Sequence, residues 1–196
     1  IFSTALSTTE RRLIDNYLAA KYGLTISNDK YSFQGTHPNE VAGIGQESST
    51  DNHTSSQGTS IVLIEGASDL DDGEYLIWGH NGGAFASQST ELPVALTGGA
   101  RLTREWVADE TGGDLGTIDI TFDMSLSLGP DPTQYRLITD ANGTFGDGTE
   151  EAITPGVSGT DITFSNVDLS SRPYFTIAHT SDVDECISFA SADWDD

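Results

Sequence analysis

Thr117-Ile118-Asp119-Ile120-Thr121-Phe122-Asp123 alternates polar and apolar residues without a break. Successive side chains of a strand point to opposite faces, so Ile118, Ile120 and Phe122 face a core while the others face water. A one-residue slip would bury Asp119, and that fixes the register. Seven further runs of strand character flank this one: Val41–Ile44, Ser60–Glu65, Tyr75–Gly79, Arg101–Ala108, Gln134–Thr139, Asp161–Phe164 and Tyr174–Ala178. Turn residues separate nearly all of them, which is the pattern of a mainly β fold, an antiparallel β-sandwich. With 36% hydrophobic residues and 21 glycines in 196 residues, the chain holds apolar surface for one thin, layered core, so 1–196 reads as a single domain. Ser48–Gly58 has no apolar side chain and reads as an exposed loop, and Ser191-Ala192-Asp193-Trp194-Asp195-Asp196 reads as an acidic tail.

Ahead of the strands lies a different period. Ser7-Thr8-Thr9-Glu10 has the spacing of a capping box, in which Ser7 accepts from the third helical amide and Glu10 returns the bond. Leu13, Ile14, Tyr17, Leu18 and Tyr22 recur at three- and four-residue spacings, and Gly23 suits a left-handed helix end, which predicts one N-terminal α-helix over 8–22. Arg11 and Arg12 are expected on its solvent face.

Charge removes several classes of partner. The chain carries 31 acids against 8 bases, a formal charge of −23. Nucleic-acid binding draws its affinity from Lys and Arg on phosphates, so neither nucleic acid nor an anionic membrane is expected as partner. A dense acidic surface also keeps a protein soluble in a saline medium without binding any one ion. The single cysteine, Cys186, permits no internal disulfide and reads as a buried or incidental thiol. No run of 18 apolar residues and no basic-then-apolar leader is present. The abrupt start at Ile1-Phe2-Ser3 suggests a domain cut from a longer chain.

Acids gather in glycine turns. Asp140 to Glu151 packs four carboxylates, an amide and two hydroxyls around three glycines, and calcium takes six to eight oxygens in irregular geometry. Asp140, Asn142, Thr144 and Glu151 match positions 1, 3, 5 and 12 of a helix-loop-helix calcium loop, but Phe145 stands where that loop needs glycine. Asp140, Asn142 and Asp147 are the calcium ligands this spacing nominates; a plain hairpin turn with solvated acids is the alternative. Asp69, Asp71 and Asp72, before the Gly73 turn, either cap that turn or form a second calcium site. His80-Asn81-Gly82-Gly83 follows the Trp78 strand; it offers hydrogen bonds and backbone access to a ligand, or serves as a flexible loop. Trp78 and Trp106 read as core residues. Arg104 shares a face with Leu102 and Trp106, where it pairs with an internal carboxylate or clamps a ligand's.

Enzymatic motifs are missing from the sequence. No Gly-x-Ser-x-Gly follows a strand and opens a helix, and His37, His53, His80 and His179 lack zinc-like spacing. With 31 acids, carboxylate pairs arise by chance and carry no signal for glycoside cleavage. The expectation is a non-enzymatic protein.

Five blocks in order carry a resemblance: Tyr17-Leu18-Ala19-Ala20-Lys21-Tyr22-Gly23, Val41-Ala42-Gly43-Ile44-Gly45, Tyr75-Leu76-Ile77-Trp78-Gly79-His80-Asn81-Gly82, Arg101-Leu102-Thr103-Arg104-Glu105-Trp106 and Tyr174-Phe175-Thr176-Ile177-Ala178. Together they resemble the peptide-binding domains of large calcium-dependent bacterial adhesins of the repeats-in-toxin type. Gly45-Gln46-Glu47-Ser48 departs from the commoner pattern, in which a basic and an acidic residue stand. The resemblance implies an extracellular, Ca2+-bound β-sandwich on a bacterial cell surface, gripping short peptide C-termini of proteins on host or neighbouring cells in adhesion or biofilm formation. Adjoining domains of the same adhesin are the other implied partners. A Ca2+-dependent lectin-like domain and a Ca2+-rigidified spacer are the alternatives.

Overall fold

The computed structural model describes residues 5–58, 61–123, 132–147, 151–158 and 161–180. Helix α1 (Thr8–Tyr22) begins as its sequence dictates: Ser7 accepts from the Glu10 amide, the Glu10 carboxylate accepts from the Ser7 amide at 2.8 Å, and Gly23 ends the helix at φ 63°. A second cap comes from far along the chain. The Asp51 carboxylate accepts from the Thr8 and Thr9 amides at 3.0 Å each; a bond from the Ser7 hydroxyl, foremost, and these amide bonds hold its pKa well below the usual carboxylate range.

The strands follow in chain order as β1 (Asn39–Ser48), β2 (Asp51–His53), β3 (Ser55–Gly58), β4 (Val62–Glu65), β5 (Tyr75–His80), β6 (Ser87–Gln88), β7 (Ala100–Leu102), β8 (Trp106–Thr111), β9 (Ile118–Asp123), β10 (Tyr135–Asp140), β11 (Glu151–Ile153), β12 (Gly156–Ser158), β13 (Asp161–Val167) and β14 (Tyr174–His179). They form two antiparallel sheets. One runs β11-β10-β14-β8-β5-β1-β2, with β7 also pairing with β14 and β6 with β7; the other runs β12-β13-β9-β4-β3. The β-sandwich core lies between them, where Ile118, Ile120 and Phe122 meet Trp78, Trp106 and Phe175. Trp106 stacks on Phe175 at 5.9 Å and meets Phe122 edge-on at 5.6 Å, a geometry that suits aromatic quadrupoles.

A third layer covers the outer face of the larger sheet. Val41, Ile77 and Val107 point away from the sandwich core and pack on Leu13, Tyr17, Ala20, Tyr31 and Phe33 of the helix and the segment after it. Every residue of β5 is therefore buried. Glycines on β1 and β5 make the close approach possible. A Cβ on Gly43 would lie 2.8 Å from Leu13 Cδ2, one on Gly79 would lie 2.5 Å from the His37 carbonyl oxygen, and one on Gly45 would strike the Tyr75 ring. The buried Asn16 fastens the following segment by accepting from the Lys30 amide at 2.7 Å and donating to the Asn28 carbonyl at 3.2 Å.

Three sequence expectations are corrected here. Ser48–Gly58 is not a free loop: it holds β2 and β3, the edge strands of the two sheets, whose pairing rests on backbone bonds that need no apolar alternation. Tyr22 leaves the packed stripe at 64% exposure, and the small or polar Thr9, Asn16, Ala19 and Ala20 are the buried helix residues, because a helix pressed on a sheet favours short side chains. Arg12 turns toward the sheet, pairing with Glu47 and lying 5.9 Å over the Tyr75 ring. Cys186, Glu150, Ser60 and the 191–196 tail lie outside the described residues.

Candidate functional site

The run expected as one strand from Arg101 to Ala108 breaks at residues 103–105. β7 and β8 lie in tandem along the same edge of β14, and the kink between them receives the His80–Gly83 turn. The Asn81 amide donates to the Glu105 carbonyl at 3.0 Å, and Asn81 Oδ1 accepts from the Gly83 amide at 2.8 Å. A Cβ at Gly83 would sit 2.5 Å from the Thr103 carbonyl oxygen, so this glycine serves the fit of turn to kink. Gly82, at φ 78°, donates its amide to His80 Nδ1 at 2.9 Å.

That bond sets the tautomer of the buried His80 ring. Nδ1 accepts, so Nε2 carries the proton and donates to Glu40 Oε2 at 2.9 Å. Burial lowers the His80 pKa most, Arg104 adds to the effect and Glu40 opposes it. Glu40 itself sits at φ 50° in a register break of β1, an unfavourable backbone for a residue with a Cβ and one that clusters at functional positions. His37 is buried beside Phe33 and Tyr174, and burial pushes its pKa down to about 4, with His80 contributing.

Two arginines flank the kink and do different work. Arg101 is fully buried: it donates to the Glu91 and Leu102 carbonyls at 3.1 Å each and to Glu105 Oε1 at 2.8 Å, pairs with the Glu91 carboxylate, and lies 4.9 Å over Phe145. This is a structural cation saturated with acceptors. Arg104 donates through Nε to the Gly83 carbonyl at 2.9 Å and lies 4.9 Å over Phe85, while Nη1 stands 3.9 Å from Glu40. Burial lowers its pKa, and Glu40 only partly offsets this. Among the described residues, no closer carboxylate meets its terminal nitrogens. A planar guanidinium in that setting matches an incoming carboxylate bidentately. Arg104 thus has an internal carboxylate, Glu40, at the long distance of 3.9 Å, while Arg101, which pattern reading left without a role, is held by Glu91 and Glu105.

The proposed calcium positions are arranged differently. Asp140 is buried, and its Oδ1 accepts from the Asn142, Gly143 and Thr144 amides at 2.8, 2.5 and 3.1 Å. Asn142 Oδ1 accepts from the Thr144 amide at 2.9 Å, and its Nδ2 donates to Asp147 Oδ2 at 2.8 Å. Phe145, at the position where a calcium hand needs glycine, is buried against Leu96, Ile138 and Ala178. Backbone N–H groups of the loop donate to Asp140, and the Asn142 side-chain amide donates to Asp147. The described part of the loop is thus a self-bonded Asx turn that places Asp140 and Asp147 on either side of Asn142. Asp69, Asp71 and Asp72 are exposed; the Asp71 amide donates to Glu74 at 2.8 Å and Asp72 accepts from Gln46 at 2.9 Å. No group of three metal-capable side chains forms among the described residues. Elsewhere, burial raises the pKa of the half-buried Glu110 to about 7, and the negative charges of Asp114, Asp168 and Glu74 add to the rise.

Fold and site together define an antiparallel β-sandwich with a helical outer layer and a strained, arginine-bearing polar cluster at a strand break. Residues 10–172 match the model of a family described as a domain of unknown function, DUF8202, and the chain belongs to that family. No curated protein and no solved structure matches the chain. The fold brings the nominated His80, Asn81, Gly82 and Gly83 to this kink together with Glu40 and Glu105, which sequence reading did not single out, nor did it single out Glu91. Their only signal is the rarity of Arg101 and Arg104 in a chain with 8 bases, since each arginine requires acceptors.

Proposed function

We propose that this domain is a non-enzymatic peptide-binding module of a bacterial cell-surface adhesin, and that Arg104, beside the His80–Gly83 turn, receives the carboxylate end of a partner's peptide. The supporting observation is the state of Arg104: half-buried and aimed by Gly83 and Phe85, with only a distant ion pair at Glu40. In a chain of net charge −23 a free carboxylate is repelled from most of the surface, so such a cation selects the docking point. Gly82 and Gly83 bring the backbone close to that point, and modest affinity at one site suits multivalent contact between cells. A non-enzymatic role is favoured because both nitrogens of His80 are engaged, by the Gly82 amide and by Glu40. Calcium enters the proposal as a stiffener of the Asp140–Asp147 loop or the Asp69–Asp72 turn, neutralising repulsion there, and the carboxylate contact does not pass through it.

A charge-assisted hydrogen bond contributes about 1.5–3 kcal/mol, so amidating the peptide end should weaken binding roughly tenfold to hundredfold. Calorimetric titration with a library of short peptides, free acid against amide, tests this. Binding indifferent to amidation would overturn the carboxylate contact; silence across the library would favour a spacer role.

A further inference from the structure

The sequence contains two Asn-Gly steps, Asn81-Gly82 and Asn142-Gly143. At such a step the glycine amide nitrogen can attack the asparagine side-chain carbonyl, because the glycine carries no Cβ to hinder the approach. The reaction needs a base for the glycine N–H, donors for the oxygen that gains charge, and an exit for the amide nitrogen. Around Asn81 all three are present. The Gly82 N–H donates to His80 Nδ1 at 2.9 Å, so the proton of the attacking nitrogen already points at an imidazole lone pair. Asn81 Oδ1 accepts from two backbone amides, Gly83 at 2.8 Å and Glu105 at 3.3 Å, which is the arrangement of an oxyanion hole. Asn81 Nδ2, the nitrogen to be lost, donates to Glu105 Oε2 at 3.3 Å, and Asn81 is exposed, so ammonia has a way out.

Glu40 acts here as a positioning residue. Its Oε2 accepts from His80 Nε2 at 2.9 Å, which keeps Nδ1 unprotonated and supports the imidazolium that forms when Nδ1 takes a proton. Glu40 holds this place at φ 50°, in the left-handed region that a residue with a Cβ rarely adopts. Arg104 from the kink and His37 from the segment before β1 also act on the ring, and burial keeps its pKa below the usual histidine value, so it is neutral at neutral pH. Asn142-Gly143 lacks two of these features. The Gly143 N–H donates to the Asp140 carboxylate, ordinarily a weaker base than imidazole, and among the described residues only the Thr144 amide donates to Asn142 Oδ1.

We propose that Asn81 is a self-modification site, at which His80 promotes conversion of Asn81-Gly82 to a succinimide and then to aspartyl and isoaspartyl residues. The Gly82 nitrogen gives its proton to His80 Nδ1 and bonds to Asn81 Cγ; the Cγ–Nδ2 bond breaks, and the proton, passed from the imidazole through solvent, leaves with Nδ2 as ammonia. Water then opens the ring at either carbonyl. The reaction is confined to this chain and runs once, and it does not depend on the peptide reading of Arg104. Its product sets a carboxylate against Glu105 where an amide donated, in the turn whose Gly83 carbonyl aims Arg104.

The test is peptide mapping by mass spectrometry of the domain aged in heavy-oxygen water, with Asn142 as the reference inside each molecule. General-base catalysis contributes about 10²–10⁴-fold, so in the folded domain Asn81 should convert at least ~tenfold faster than Asn142, and the two rates should converge in guanidinium. The Asn81 rate should level off above about pH 6.5, where the imidazole is neutral, while the Asn142 rate keeps rising with hydroxide. His80→Gln keeps an acceptor for Gly82 but no base, and should bring Asn81 down to the rate of Asn142. Glu40→Gln should slow Asn81 and move the levelling to lower pH, because the ring loses the carboxylate that favours its protonated form. If His80→Gln fails to fold, both its rates match those in guanidinium, and the wild-type pH profile decides. The proposal is overturned if folded Asn81 converts no faster than Asn142, if its rate climbs with hydroxide as that of Asn142 does, if folded His80→Gln keeps the wild-type rate, or if aspartate forms without isoaspartate.

Discussion

Gly79→Ala puts one methyl group where the outer layer meets the large sheet. The new Cβ would lie 2.5 Å from the His37 carbonyl oxygen and 2.8 Å from both the Tyr31 hydroxyl and Val41 Cγ2. The nearest of these is backbone, so relief requires moving the 31–37 segment away from β5. Overpacking of this kind costs about 1–3 kcal/mol. The displacement also breaks the Tyr31 hydroxyl's 2.8 Å bond to the His37 carbonyl, a further ~0.5–1.5 kcal/mol. A total of about 2–4 kcal/mol corresponds, for a chain of this size, to a fall in Tm of roughly 4–16 °C. Gly35→Ala is the control: nothing lies within 4 Å of its Cβ and its backbone is not left-handed, so it should stay within about 0.5 kcal/mol of wild type. Differential scanning calorimetry of the two variants reads the difference directly. If Gly79→Ala melts with Gly35→Ala, the segment is not seated on β5 and the three-layer description fails.

Other consequences can be checked in the same way. Arg101→Met should lower stability in urea by about 2–3 kcal/mol, less than the ~3–5 kcal/mol of a fully enclosed pair, because Glu91 and Glu105 still reach water. Asp51→Asn should destabilise the domain at neutral pH; because the Asp51 pKa is depressed, the gap from wild type should close as pH falls below 3.8, measured as Tm against pH. His37 and Glu110 impose opposite slopes on stability. The His37 pKa falls from 6.5 to about 4, so folding expels its proton and stability drops as pH falls through that window, by up to ~1.4 kcal/mol per unit; His37→Asn should remove that loss. The Glu110 pKa rises from 4.5 to about 7, so folding takes up a proton and stability grows as pH falls from 7 to 4.5; Glu110→Gln should abolish that gain.

The legible parts of the fold were those written in local patterns. Alternation at Ile118–Phe122 placed three side chains in the core, and the Ser7–Glu10 box and Gly23 bounded the helix. The edge strands β2 and β3 escaped because polar residues suit an edge and leave no period-two apolar signal. The third layer escaped because its signature is negative: Gly43, Gly45 and Gly79 matter for the side chains they lack. At the candidate site, His80–Gly83 was visible as a glycine turn, but Glu40 and Glu105 come from distant segments that only the tertiary fold brings to the kink. Composition left two uses of the Asp140 loop open, because the same oxygen-rich residues build calcium loops and Asx turns.

The most direct test of the central claim is a single calorimetric comparison. A peptide that binds the wild-type domain is titrated, as free acid and as amide, into wild type and Arg104→Gln, with calcium and with chelator. Arg104 as carboxylate receiver predicts that amidation and Arg104→Gln each weaken binding roughly tenfold to hundredfold and that the two together weaken it no further. It also predicts that chelator changes stability more than it changes the amidation effect. Full-strength binding of the free acid to Arg104→Gln would contradict the claim.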